Sequence, residues 1–350
     1  MLDGPTDAWK LPPMSNVQPI TPRAREALPL APDHGHARNV GIAFDADAVD
    51  SLRVNRSAAE RRVGSLPGRR TVKKEWQAAW LLKAVQCIDL TTLSGDDTPG
   101  RVRRLCAKAM HPVRDDLLDA MGVADLRITT GAVCVYHNMI ETAVKALEGS
   151  GIPVAAVSTG FPAGLSPFPV RIKEIEASVA AGAKEIDIVI DRSHVLTGNY
   201  RAVYDEMGAF REACGAAHVK AIIGAGDLGT LTNVARASMA CMMGGADFIK
   251  TSTGKEAVNA TLPFALVMVR MIRAYREMTG YKIGFKPAGG ISAAKDAINY
   301  QIVMKEELGR EWLEPDLFRL GASSLLTDIE RQLEHHVSGR YSAAHRHPMG

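Results

Sequence analysis

The sequence predicts an α/β fold, a (β/α)8 TIM barrel with an N-terminal extension. Three observations lead there. From Lys74 onward, short apolar runs of β type alternate with longer stretches of helical spacing, which is the pattern of parallel βαβ units. Eight such runs spread over about 270 residues match the strand number and length of that barrel. No Gly-x-Gly-x-x-Gly turn follows the first run, so the structural competitor, an open doubly wound sheet, lacks the fingerprint of its dinucleotide site.

Taken in order, residues 1–70 are rich in Pro, Ala, Asp and Arg but show little sustained periodicity. They read as an extension or wrapping arm, partly disordered and without chemistry of its own. Arg53, Arg56, Arg61, Arg62, Arg69, Arg70, Lys73 and Lys74 form a basic stretch that could touch phosphate or nucleic acid, but a solvated helix face is the commoner origin of such a run. The barrel domain is expected over 71–337. Its strands fall at 85–90, 131–136, 153–159, 185–190, 218–223, 247–251, 282–286 and 317–320, and intervening helices include 169–181, 200–217, 231–243, 262–279 and 293–307. Residues 338–350 read as a C-terminal tail.

Composition narrows the function classes. A chain of 350 residues with 46% hydrophobic content buries a large core without staples. A net charge of +3 is too weak to imply a nucleic-acid partner, and it suits an anionic small substrate. The five cysteines, Cys87, Cys106, Cys134, Cys214 and Cys241, are scattered and never in Cys-x-x-Cys spacing, so no disulfide framework or zinc site is indicated and a reducing cytoplasm is expected. The start, Met1-Leu2-Asp3-Gly4-Pro5, lacks a basic and an apolar region, and no apolar stretch reaches the ~20 residues of a membrane span. Neither export nor a membrane partner is expected.

Two lysines carry the chemistry. Lys250 and Lys286 each close an apolar run and open into a small-residue loop, Thr251-Ser252-Thr253-Gly254-Lys255 and Pro287-Ala288-Gly289-Gly290. At the mouth of a barrel, desolvation and a second nearby cation both lower a lysine pKa until neutral amine is available to attack a carbonyl. Snorkelling to solvent is the bland alternative, and the residues alone do not separate the two. The loops after strands seven and eight, with Gly289, Gly290, Ser323 and Ser324, occupy the positions where barrels hold phosphate, which is favoured over the alternative of plain tight βα turns, and Gly254 and Lys255 can complete that pocket. Alternation in strand four puts Glu185, Asp187 and Val189 on one face. A carboxylate inside the barrel needs a cation, and Lys250 or Lys286 is the natural partner. Asp89, at the end of strand one, reads equally as a second site carboxylate or as a cap working with Thr91 and Thr92.

Together these segments resemble a known family, the class I deoxyribose-phosphate aldolases. The likeness runs from about Arg70 to the C-terminus, through Ile88-Asp89-Leu90-Thr91-Thr92-Leu93, Glu185-Ile186-Asp187, Phe248-Ile249-Lys250-Thr251-Ser252-Thr253-Gly254-Lys255, Gly284-Phe285-Lys286-Pro287-Ala288-Gly289-Gly290 and Gly321-Ala322-Ser323-Ser324. The long N-terminus, Arg70-Thr71-Val72-Lys73-Lys74-Glu75-Trp76 and Ser338-Gly339-Arg340-Tyr341 are similar to the longer, animal-type members. The resemblance implies that Lys250 is the Schiff-base lysine, Lys286 the lysine that lowers its pKa, Asp187 the proton-relay carboxylate and Asp89 an outer part of that relay. It also implies phosphosugar and aldehyde substrates, no cofactor, no metal and a homodimer. Two departures stand out. Ser292 occupies a position where many members have Arg, and the mobile C-terminal tyrosine of short members is absent, with Tyr341 as a substitute.

The reaction implied is reversible cleavage of 2-deoxyribose 5-phosphate into acetaldehyde and glyceraldehyde 3-phosphate, serving deoxynucleoside breakdown. The alternatives are a transaldolase-like or isomerase barrel acting on phosphosugars and a catalytically silent barrel that only binds.

Overall fold

The computed structural model describes residues 36–69 and 71–347. Ahead of the barrel lie α1 (Ala46–Ser51), α2 (Arg56–Arg69) and α3 (Lys74–Gln86). The barrel then runs β1 (Ile88–Thr91), α4 (Pro99–Met110), α5 (Asp115–Ala120), β2 (Ala132–Val135), α6 (Ile140–Ala146), β3 (Val154–Ser158), α7 (Phe168–Ala180), β4 (Glu185–Val189), α8 (Arg192–Leu196), α9 (Tyr200–Cys214), β5 (His218–Ile222), α10 (Leu231–Met243), β6 (Phe248–Lys250), α11 (Leu262–Thr279), β7 (Gly284–Lys286), α12 (Ala294–Leu308), β8 (Leu320–Ala322) and α13 (Ser324–Ser338).

The eight strands are parallel neighbours in the order β7-β6-β5-β4-β3-β2-β1-β8. Closure comes from Phe285 N–H on Leu317 O at 2.9 Å, Arg319 N–H on Phe285 O at 3.0 Å and Gly321 N–H on Pro287 O at 2.9 Å, which join β7 to the chain leading into β8. The fold is therefore the expected (β/α)8 barrel, its strands buried against helices outside and against one another's side chains within.

Helix starts follow local chemistry. The hydroxyls of Thr230 and Thr261 accept from Asn233 N–H and Phe264 N–H and so open α10 and α11, whose bounds match the expected 231–243 and 262–279. Gly280, at φ +79°, ends α11 in the left-handed conformation.

Three expectations are corrected. Residues 85–86 belong to α3, so β1 starts at Ile88. β8 starts at Leu320 and not at 317, because Leu317 and Phe318 N–H groups are still turned back onto Glu314 O. Gly321 and Ala322 thus lie within the strand, opposite Asp89 and Leu90, and only Ser323 and Ser324 follow it.

The third correction is the described part of the extension, which is periodic. Ala59, Val63 and Leu66 form one buried stripe on α2, packed with α11 and α12. Arg62 reaches Glu306 at 3.5 Å and Glu307 at 3.4 Å, so this member of the basic stretch docks the helix. Upstream, Arg38 and the Asn39 N–H hold the Asp247 carboxylate at 3.2 and 3.0 Å, just before β6. At the other end, Arg346 pairs with Glu334 at 2.8 Å and Thr327 donates to His347 O at 3.3 Å, folding the tail back along α13. No helix among the described residues is long and apolar enough to cross a membrane. Residues 1–35, 70 and 348–350, with Arg70 of the basic stretch, lie outside the described residues.

Candidate active site

Strand register assembles the site. Lys250 on β6 is the direct neighbour of Lys286 on β7, Asp187 on β4 neighbours Lys220 on β5, and Asp89 on β1 neighbours Gly321 on β8. Gly321 makes room: a Cβ there would sit 3.2 Å from the Lys286 Cε. All of these charged side chains are buried.

The upper cluster has one carboxylate between two amines. Oδ2 of Asp187 accepts from Lys250 Nζ at 2.7 Å and from Lys286 Nζ at 2.7 Å. Lys286 has a second anion, Asp89 Oδ2 at 2.6 Å. The two lysines therefore titrate in opposite senses. For Lys250 burial is the largest influence and lowers its pKa; Asp187 opposes this, and the Lys286 charge lowers it further. For Lys286 burial also disfavours the ammonium, but Asp187 and Asp89 together outweigh it and raise its pKa. Burial pushes the Asp187 carboxyl up, but Lys250, Lys286 and Lys220 hold it below its ordinary value.

Beneath lies a second cluster. Lys220 Nζ donates to Asp89 Oδ2 at 2.9 Å and to Glu185, and stands 3.6 Å from Asp187 Oδ1. Arg319 closes it with Nη1 on Asp89 Oδ1 at 2.6 Å and Nη2 on Glu185 Oε1 at 2.8 Å. Among these seven groups, Lys220, Lys286 and Arg319 balance Asp89, Asp187 and Glu185. Lys250 shares its carboxylate with Lys286, so burial and that neighbouring cation both disfavour its ammonium.

This geometry settles several readings. Asp89 is no helix cap; it lies inside the barrel between three cations. Glu185 pairs with Lys220 and Arg319, not with the expected Lys250 or Lys286. Lys220 and Arg319 were missed by the sequence reading, although each is a charge inside an apolar run, the signal that singled out Glu185 and Asp187. Tyr341 does not approach the cluster: it stacks on His335 at 4.1 Å, 61% exposed, at the far end of a helix that begins at Ser324 and runs about 20 Å.

The rim is built from three adjoining loops. Thr251 Oγ1 accepts from Ala288 N–H at 3.0 Å and Ser252 Oγ donates to Ala288 O at 2.6 Å, tying the loop after β6 to that after β7. Ala288 is bridged in turn to Gly321. Gly254, Lys255, Gly290, Ser323 and Ser324 are exposed on this rim and Gly289 is half-buried. Ser323 stands before α13 with no side-chain cap on that helix, leaving its first N–H groups without a side-chain acceptor. The N–H groups of Gly254 and Lys255 are directed otherwise, onto the Glu256 carboxylate at 3.2 Å each, while the Lys255 side chain is exposed.

Comparison with known proteins gives the chain its family. A family model described as DeoC/LacD family aldolase matches residues 83–326. The human deoxyribose-phosphate aldolase is 59% identical over 315 residues, covering 89% of this chain and 99% of that protein. The crystal structure of a candidate deoxyribose-phosphate aldolase from Toxoplasma gondii ME49 has a TM-score of 0.65 at 21% identity, covering 77% of this chain and 99% of that one. A tetrameric deoxyribose phosphate aldolase from Aeropyrum pernix has a TM-score of 0.53 at 21% identity, covering 75% and 98%. At that identity the two structures speak for the fold alone. The family match and the human relative go further, and on them the chain belongs to the DeoC/LacD family of aldolases.

Proposed function

We propose that the chain reversibly cleaves 2-deoxy-D-ribose 5-phosphate to acetaldehyde and D-glyceraldehyde 3-phosphate through an imine on Lys250. The observation that carries this is the shared Asp187 carboxylate, which sets a lysine of lowered pKa beside one of raised pKa. Neutral Lys250 attacks the aldehyde carbon of the open-chain sugar, and water departs to leave an iminium. That cation withdraws electrons as the C2–C3 bond breaks: the C3 hydroxyl gives up its proton, glyceraldehyde 3-phosphate leaves, and an enamine remains. Protonation at its terminal carbon and hydrolysis then release acetaldehyde and restore Lys250. Asp187, within hydrogen-bond reach of both amines, relays these protons, with Lys286 as their charged donor and Asp89 behind it. The rim of Lys255, Gly289, Gly290, Ser323 and Ser324 takes the phosphate, supported by the first turn of α13, which has no side-chain cap.

All five cysteines are buried free thiols, which supports a reducing, cytoplasmic setting. Exposed Leu165, Phe168 and Val170 support self-association as a homodimer, which sedimentation reads directly.

Trapping tests the chemistry. Incubation with acetaldehyde and borohydride adds one ethyl group to Lys250, located by peptide mass spectrometry, and Lys250→Arg abolishes both label and turnover because a guanidinium forms no imine. Labelling of Lys286 or Lys255 instead overturns the assignment.

A further inference from the structure

One anion is already seated on the rim. The Glu256 carboxylate, whose side chain is 3% exposed, gathers four donors of its own loop. These are Thr253 N–H at 3.0 Å, Thr253 Oγ1 at 2.7 Å, and the Gly254 and Lys255 N–H groups at 3.2 Å each. Converging N–H groups of this kind form a nest for a negative charge. Here the occupant is covalently attached.

A cation holds it there. Arg192, the first residue of α8, places Nη1 3.4 Å from Glu256 Oε1 and 3.5 Å from Asp227 Oδ2, while Nη2 donates to Ala163 O at 3.0 Å. One guanidinium thus ties the loops after β3, β5 and β6 to its own, after β4. Gly224, at φ +66°, permits the approach, because a Cβ there would stand 2.7 Å from Arg192 Cδ. The clamp extends one loop further: Asn259 Nδ2 donates to Glu256 O at 2.8 Å, and the Asn259 side chain packs on Gly289.

We propose that Glu256, clamped by Arg192, is a positioning residue that fixes the loop after β6 so that Lys255 meets the phosphate end of the sugar. The inference rests on the phosphate reading of the rim given above. With its N–H groups committed to Glu256, this loop offers phosphate a fixed ammonium and leaves the backbone donors to the loops after β7 and β8. Removing the Glu256 charge releases the loop, and the loss falls on recognition of phosphate, not on the chemistry at Lys250.

The test compares 2-deoxyribose 5-phosphate with unphosphorylated 2-deoxyribose. Glu256→Gln is expected to raise KM for the phosphorylated sugar about tenfold or more, the scale of a lost hydrogen bond to a charged group, with kcat nearly kept and the rise confined to that substrate. Arg192→Ala gives the same split, and Arg192→Lys restores most of it by keeping a cation on Glu256. Equal losses on both sugars, or no change in KM, overturn the proposal. Calorimetry with inorganic phosphate gives a readout independent of turnover: weaker binding by Glu256→Gln or Arg192→Ala than by the parent chain supports the clamp, and unchanged binding overturns it. Acetaldehyde trapping on the parent chain separates the two levels, since its failure strikes the imine chemistry while the phosphate titration still decides the clamp.

Discussion

Lys250 and Lys286 are register partners on adjacent strands, and both donate to the same oxygen of Asp187 at 2.7 Å, yet burial and charge drive their pKa values apart. The asymmetry is a matter of neighbours. Lys286 has two carboxylates; Lys250 has one, shared, and a cation beside it.

Lys286→Met is expected to raise the Lys250 pKa toward the ordinary 10.5, because it removes a like charge and leaves Asp187 to Lys250 alone. The acidic limb of the kcat/KM profile then moves to higher pH, borohydride trapping at neutral pH slows, and activity recovers in part with alkali. Lys286→Arg keeps the charge and serves as control. An acidic limb that stays in place shows that burial alone activates Lys250.

Asp187→Asn removes the relay and the counter-charge together. Loss of a positioned proton-transfer group lowers kcat by about 10²- to 10⁴-fold. Stability changes with a definite sign: the Asp187 pKa is held below 3.8 in the folded chain, so the unfolded chain takes up its proton first. The contribution of Asp187 is present above about pH 4 and is lost as pH falls below that. Chemical denaturation across pH should show the variant less stable near neutrality and its deficit shrinking in acid.

Lys220→Met leaves Lys286 and Arg319 to balance three buried carboxylates, and removing one partner of a buried network costs about 3–5 kcal/mol, read as a lower urea midpoint. Combining it with Glu185→Leu leaves Arg319 to balance Asp89 and should recover part of that loss. No recovery in the double variant would show that Lys220 stabilises by packing and not by charge.

Ser324→Ala should raise KM for the phosphorylated sugar by the equivalent of about 1.5–3 kcal/mol while sparing 2-deoxyribose. Gly290→Asp, whose Cβ meets no neighbouring atom within 4 Å but which brings an anion and a strained φ of +78°, should do the same more strongly. Parallel losses on both sugars would reduce these loops to turns.

The sequence by itself determined the alternation of strand and helix, the α10 and α11 boundaries, the two lysine motifs and the glycine-serine rim, because each is written in neighbouring residues: periodicity, a threonine cap, a small-residue turn. Tertiary structure decided who pairs with whom. Asp187 and Lys250 are 63 residues apart, Asp89 and Lys220 131, and Asp89 and Arg319 230, and only closure of the barrel brings them into contact. The same closure turned Asp89 from a possible cap into a buried anion, gave Glu185 to Lys220 and Arg319, and left Lys250 sharing its carboxylate with Lys286. Local spacing could not show that the N–H groups of Gly254 and Lys255 were already taken by Glu256, nor that Tyr341 ends a long helix away from the lysines. Those outcomes depend on distances across the fold, which no run of neighbouring residues encodes.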